Sequence, residues 1–361
     1  MMLFQKWRPL LRSAGARRSF RSDSALLSLA KASEARSPNV VVLYNYPSFS
    51  GAFSALFAHL YYSRLNIPCL ILPFSSVIPF RVEDVCIDGL KECYFLDFVG
   101  PKGFLSELSK RTSAKIIGFD HRKLALKNIP PKGHLGENVS IQVNLEKSSS
   151  FAVYEYFSSK LSGVLSDNEG TNSLLEAKDQ VGVEMVLKYI EDGDLRKWSL
   201  PDIRAFNVGI RSWRSKLNCI TNPHMYQQLL DMSYMDIIAE GKSFFSTREI
   251  AANKMLDKVI LIRLGRGIYG KCLGVKLQGK SDVIDEVGNE LSRRSAAAGL
   301  RPIGAVIHMQ RKNLKMCLRS TDVATDTSEV AKAYGGGGCP SSSSFIIRMD
   351  EYNKWISSAV S

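Results

Sequence analysis

The chain has 361 residues, 45% hydrophobic and 23% charged, and a formal net charge of +13. That length allows two domains with a substantial core, and no apolar run reaches the roughly 18 residues a membrane span needs. The seven cysteines (Cys69, Cys86, Cys93, Cys219, Cys272, Cys317 and Cys339) form no CxxC pair and are odd in number. This argues against a disulfide framework or structural zinc site and fits a reducing compartment.

The charge is unevenly spread. Residues 1–36 hold eight Lys/Arg against the two acids Asp23 and Glu34, and are rich in Ser, Ala and Leu. "MLFQKWRPLLRS" can form a helix with Leu3, Phe4, Trp7 and Leu11 on one side. This is the composition of an organellar transit peptide, so the expected location is the mitochondrial matrix, with a plastid as the alternative. The more moderately basic remainder is compatible with a phosphate-bearing ligand and equally with a solvated surface.

From residue 39 to about 205, strand and helix patterns alternate. "VVVLYNY", "CLILPF", "ECYFLDFVG" and "AKIIGFDH" read as strands; "SGAFSALFAHLYYSRL", "GFLSELSKRT" and "SSFAVYEYFSSKL" read as helices. That rhythm predicts a parallel sheet covered by helices, with ligands at the carboxyl ends of the strands. Residues 206–254 read as a helical connector. Residues 255–361 read as a smaller α/β domain: two strands about a Gly-rich turn, a helix, the hairpin "PIGAVIHMQ"/"NLKMCLRS", and then "TSEVAKAYGGGGCPSSSSFIIRMDEY". Taken alone, "GGGGCPSSSS" is either a flexible linker or a loop that brings bare backbone to an anion.

Polar residues follow the strands. "YNYPSFSG" follows the first, Asp97 the third, and Asp120-His121-Arg122 the fourth; Asp192 and Asp194 lie further on. Asp and His at successive strand ends are the raw material of a hydrolytic metal centre. Asp97 and Asp120 could equally cap the helices that follow them. His59, inside a hydrophobic helix, is expected to be packed rather than to hold a ligand.

"YFLDF", "GFDHR", "SSSFAVYEYF", "YIEDGDL" and "LRS…YGGGGC" occur in an order that resembles the DHH phosphoesterase superfamily, in the branch with a DHH-associated C-terminal domain. The resemblance spans about residues 39–350. It implies an active cleft between two α/β domains, two manganese ions on the first, and a substrate grip by an Arg-Ser pair and a glycine loop on the second. Carried onto this chain, that grip falls on Arg319, Ser320, Gly335, Gly336, Gly337, Gly338 and Cys339.

The departures are specific. Ser48 and Ser50 stand where the family's first motif has acids, Arg122 replaces the second histidine, and Cys339 replaces the histidine after the glycines. Adjacent dications need several carboxylates, so at most one weak divalent ion, manganese or magnesium, is expected on Asp97, His121 and Asp194, and none is the alternative. Asp120 and His121 would be the catalytic pair, with Arg122 contacting phosphate. The favoured reading is a binder of a nucleotide, short RNA or DNA, or another phosphate compound. An active phosphodiesterase or exopolyphosphatase and a non-catalytic interaction subunit are the alternatives. No aromatic–basic platform for long single strands stands out, so a short ligand is expected.

Overall fold

The structure, a computed structural model, describes residues 25–29, 39–77, 79–130, 135–164, 173–277 and 283–356. The expected leader therefore lies outside the described residues except for 25–29. Those five form a helical turn whose Ala25 and Leu29 are buried in a core. The chain divides into two compact units, Met1–Gly241 and Lys242–Ser361.

The first unit is built on a five-stranded parallel sheet: β1 Val40–Asn45, β2 Cys69–Phe74, β3 Glu92–Leu96, β4 Lys115–Asp120 and β5 Val139–Val143, in the order β2-β1-β3-β4-β5. Both faces are covered, which is why β1 reads as a continuous apolar run. Val42, Tyr44, Tyr94, Leu96, Ile117 and Phe119 pack with α1 (Phe49–Arg64), α3 (Ser149–Val164) and α4 (Ala177–Asp194). Val41, Leu43, Cys93, Phe95 and Ile116 alternate with them and pack with Phe104, Leu105 and Leu108 of α2 (Phe104–Arg111). The chain leaves β1 for β2 on one side and reaches β3 on the other. The carboxyl ends of β1 and β3 are thus the switch point where such sheets bind ligands.

Two elements lie outside the sequence reading. Among the described residues the β5 strand pairs only with β4, and its short half-buried "VSIQV" gives little apolar signal. The 18-residue α4 carries Asp192 and Asp194, so Asp194 ends a helix rather than a strand. After it come α5 (Ile203–Gly209), a 3-10 run Ile210–Lys216, a short helix Met225–Leu230 and α6 (Tyr234–Met255). The division between units falls inside α6, so most of the expected connector belongs with the first unit.

The second unit has a six-stranded mixed sheet in the order β10-β11-β9-β8-β7-β6. Its strands are β6 Ile260–Arg263, β7 Lys271–Leu277, β8 Gly304–Gln310, β9 Asn313–Arg319, β10 Gly337–Cys339 and β11 Ser342–Ile347. β7 and β8 run parallel and are joined through α7 (Ile284–Ala297); the other pairs are antiparallel. α7 packs with Val275, Val306 and Cys317 on one face. Val330 and Ala331 of α8 (Thr327–Ala333), with Trp355, pack on the other.

The glycine stretch is neither a linker nor a free loop. Gly337, Gly338 and Cys339 pair with Ser344, Ser343 and Ser342, so the stretch forms the edge strand of the sheet. A side chain at Gly338 would overlap the Ser342 carbonyl oxygen, and its φ of 144° lies in the region that favours glycine.

Candidate functional site

Three strand ends and three helix ends meet at the switch point. Ser48 is the N-cap of α1, its Oγ accepting from Gly51 N at 3.3 Å. Serine at this place therefore has a local reason, the satisfaction of a helix-end donor. Gly51 has one too, because any Cβ there would overlap the Asn45 carbonyl oxygen.

Asp97 follows β3 with φ 64° and is buried. Asn45 Nδ2 and Ser48 Oγ donate to its Oδ2 at 2.9 and 2.5 Å. Its Oδ1 faces His121 Nδ1 at 3.2 Å and has no other partner among the described residues. Asp120, the last residue of β4, is more heavily engaged. Its Oδ1 accepts from His121 N at 2.8 Å, Arg122 N at 3.1 Å and Arg122 Nε at 2.8 Å. Its Oδ2 accepts from Arg122 Nη2 at 2.9 Å, completing a two-pronged fork, and Nη2 also donates to the Asp97 carbonyl oxygen. Asp194 Oδ2 accepts from Ser50 Oγ at 2.5 Å, and Ser50 lies 3.3 Å from Ser150 Oγ.

One ligand atom each from Asp97, Asp120 and His121 lie within 4.8 Å of one another. The cluster thus includes Asp120, which was expected in the catalytic pair rather than among the ligands. Asp194 reaches the same place electrostatically: packing around its carboxyl and the Asp97 charge push its pKa up to about 6, although the residue's outer edge is exposed. Burial works to raise the Asp97 pKa, but the His121 hydrogen bond, the Arg122 charge and Ser48 outweigh it and hold it low. Burial works to lower the His121 pKa, but Asp97, Asp194 and Asp120 outweigh it and raise it.

These donors decide what the site can hold. Asp97 Oδ1 and His121 suit one divalent ion, and Asp120 could join them only if the half-exposed Arg122 swung away. A second ion lacks carboxylates, since Ser48 and Ser50 occupy the first motif. Ser149 Oγ lies 2.9 Å from His121 Nδ1, the same nitrogen that faces Asp97. A serine–histidine–aspartate relay needs both ring nitrogens, so this trio is not one. Asn45 and Ser149 were not singled out from sequence. Ser149 sat unremarked in the quoted "SSSF", where a serine opening a helix was the available signal.

In the second unit, a groove of about 820 Å³ is lined by Asp285, His308, Arg311, Lys315, Arg319, Gly337, Gly338 and Ser342–Ser344, among others. Arg319 Nε donates to Asp285 Oδ1 at 2.7 Å. Of the expected substrate residues, Arg319, Gly337 and Gly338 line this groove. Ser320 does not; its buried hydroxyl donates to the Pro302 carbonyl at 2.7 Å. Gly335 and Gly336 end α8 and enter the strand, with Gly336 N donating to Ala331 O at 2.8 Å. Cys339 is exposed, with Sγ 3.5 Å from Ser341 Oγ, whose contact lowers the thiol pKa. His308 and Lys315 were missed because they become neighbours only once β8 pairs with β9, and Arg311 because it lies in the turn that joins them.

No protein-family profile and no curated protein matches the chain. Among solved structures, a pGpG-specific phosphodiesterase from Vibrio cholerae is 14% identical with a TM-score of 0.34, covering 87% of this chain and 95% of its own. An exopolyphosphatase-related protein from Bacteroides fragilis is 12% identical at 0.31, covering 92% and 94%. CDC45 from Entamoeba histolytica is 9% identical at 0.32, covering 92% and 97%. The chain has the α/β architecture expected from the resemblance: a parallel sheet in the first unit and a mixed sheet in the second.

Proposed function

We propose that the chain binds a nucleotide, short oligonucleotide or other phosphate compound and hydrolyses it poorly or not at all. The observation that carries this is the Arg122 fork on Asp120, which places a fixed cation where a metal would otherwise balance that carboxylate. Ser48 and Ser50 satisfy Asp97 and Asp194 in the same way, with neutral hydroxyls. The phosphate side of the reading rests on the groove, where Arg311, Lys315 and Arg319 outnumber Asp285 beside bare glycine backbone.

Metal analysis of the purified protein, with a hydrolysis screen of dinucleotides, polyphosphate and cyclic dinucleotides in added manganese, tests it. Ligand binding without turnover is expected. Rapid cleavage with two bound ions would overturn it. Asp97 Oδ1, which faces only His121 Nδ1 among the described residues, favours a second reading, a phosphodiesterase with one divalent ion on Asp97 and His121, joined by Asp194 or by Asp120 once released. Such an ion would supply Lewis acidity and an activated water. The basic first 36 residues support a mitochondrial address, which imaging of a reporter fused to residues 1–40 would test.

A further inference from the structure

We infer that the surface running from the end of α4 through α5 and the following 3-10 turns binds single-stranded nucleic acid. Residues 195–217 hold Arg196, Lys197, Arg204, Arg211, Arg214 and Lys216 against the one acid Asp202, and all six cations are exposed. Lys197 lies 3.8 Å from Glu191, while the four arginines have no ion-pair partner among the described residues. Charge alone would make only a solvated face.

The second observation is an aromatic ring held outward. Trp198 is 51% exposed. Its φ is 53°, and Arg196 and Asp202 are also left-handed at 55°. Non-glycine residues stay in that region only where neighbours enforce it, and such segments cluster at functional places. Here the enforcement is visible. Buried Asp192 accepts from Ser199 N at 3.0 and 3.1 Å and from Ser199 Oγ, and its carbonyl accepts from Lys197 N at 2.9 Å. Tyr189 OH donates to the Pro201 carbonyl at 2.9 Å. A second ring follows, Trp213, with Lys216 Nζ 4.1 Å from its centroid. Trp213 is itself partly buried against the core, so Trp198 is the exposed ring among cations that sequence-tolerant stacking of bases requires.

The same residues disfavour a membrane. The apolar side of this segment (Ile203, Ala205, Phe206 and Ile210) is buried in the core, so no apolar stripe remains to enter a bilayer. The surface also adjoins the acid–histidine site, because Asp194, bonded to Ser50, immediately precedes it. Asn207 of α5 packs beside Gly193 at the same helix end. A strand with bases on Trp198 and phosphates on the arginines would lead to that site. This inference departs from the expectation of no aromatic–basic platform for long single strands: "RKW" and "IRSWRSK" supply the rings and most of the cations. None of these side chains belongs to the proposed phosphate site, so the inference stands or falls separately.

The test uses the full chain and fluorescein-labelled oligouridylates of about two to about twelve nucleotides, read by anisotropy. Affinity should climb with length. Trp198→Ala should weaken binding of the longest probe about tenfold and leave the dinucleotide unchanged. Trp198→Tyr should restore most of it, which a folding defect would not allow. Arg204→Gln with Arg211→Gln should lower the salt slope by about two. Trp198 dependence that persists when Arg122→Gln leaves dinucleotide binding untouched would support this surface while counting against the phosphate-site reading. Binding independent of length, unchanged affinity in Trp198→Ala, or tighter binding to phosphatidylserine vesicles than to the oligonucleotide would overturn the inference.

Discussion

The acid–histidine cluster of the first unit and the glycine-edged groove of the second treat charge in opposite ways. In the cluster every carboxylate already has an internal donor: Asn45 and Ser48 on Asp97, Ser50 on Asp194, Arg122 on Asp120. In the groove, Arg319 is answered by Asp285, while Arg311 and Lys315 line the wall with no acid paired to them among the described residues. A site whose charges are satisfied internally has little left to stabilise a dication or a developing negative charge. A site with surplus cations beside open backbone can bind an anion with little rearrangement. That difference is what the proposed binding without turnover requires.

The largest contrast should come from one substitution made in both places. Gly51→Ala drives a methyl into the Asn45 carbonyl and should cost about 3 kcal/mol or unfold the first unit. Gly337→Ala meets nothing within 4 Å and should change stability by less than about 0.5 kcal/mol. Thermal melts of both variants decide this, and equal losses would break the comparison.

Next comes Arg122→His, which releases Asp120 from the fork. Manganese uptake should rise while dinucleotide binding falls about tenfold, the scale of one charge-assisted contact. Arg319→Gln should lower tripolyphosphate binding by a similar factor without changing metal uptake. Calorimetry with each ligand separates the two. A wild type that takes up two manganese ions tightly would remove the basis of the contrast.

Restoring acids with Ser48→Asp and Ser50→Asp should destabilise the metal-free protein by about 1–3 kcal/mol, because both new charges adjoin Asp97 and Asp194. Manganese should recover the loss by binding only the folded state. Melting curves with and without metal would show it, and an unshifted midpoint in manganese would sink the idea that serine is what limits metal binding.

The smallest effect is a control at the opposite end of β3. Burial of Glu92 works to raise its pKa, but hydrogen bonds from Tyr62, Lys160 and Tyr94 outweigh it and hold it below the ordinary 4.5. A depressed carboxylate contributes stability above its unfolded pKa and loses it as pH falls through the folded one. Glu92→Gln should therefore cost about 1 kcal/mol at neutral pH and flatten the decline on acidification below about pH 4.5. Anion binding should stay unchanged. A shifted affinity would mean that the two ends of the sheet are coupled.

Much of the fold was legible in sequence because it rests on local periodicity. The apolar runs of β1 to β4 and the helical spacing of Phe53, Leu56, Phe57 and Leu60 each announce an element within one window. Asp97, Asp120 and His121 were also legible, since parallel sheets present the residues after their strands. The departures at Ser48, Ser50 and Arg122 were visible as residue types. Their consequences were not. That Arg122 turns back onto Asp120, that His121 shows one nitrogen to both Asp97 and Ser149, and that Ser320 faces Pro302 rather than the groove depend on side-chain direction.

The chain by itself thus determined the order and kind of most of its elements, the missing acids and the excess of positive charge. Tertiary structure decided how each charge is spent. It folded the glycines into an edge strand through pairing with a serine strand, and turned Trp198 outward through a loop tied to Asp192. Hydrophobic periodicity is a property of neighbours in sequence. Hydrogen bonds such as Ser50 to Asp194 join residues far apart in the chain, and nothing local encodes which of several possible partners is reached.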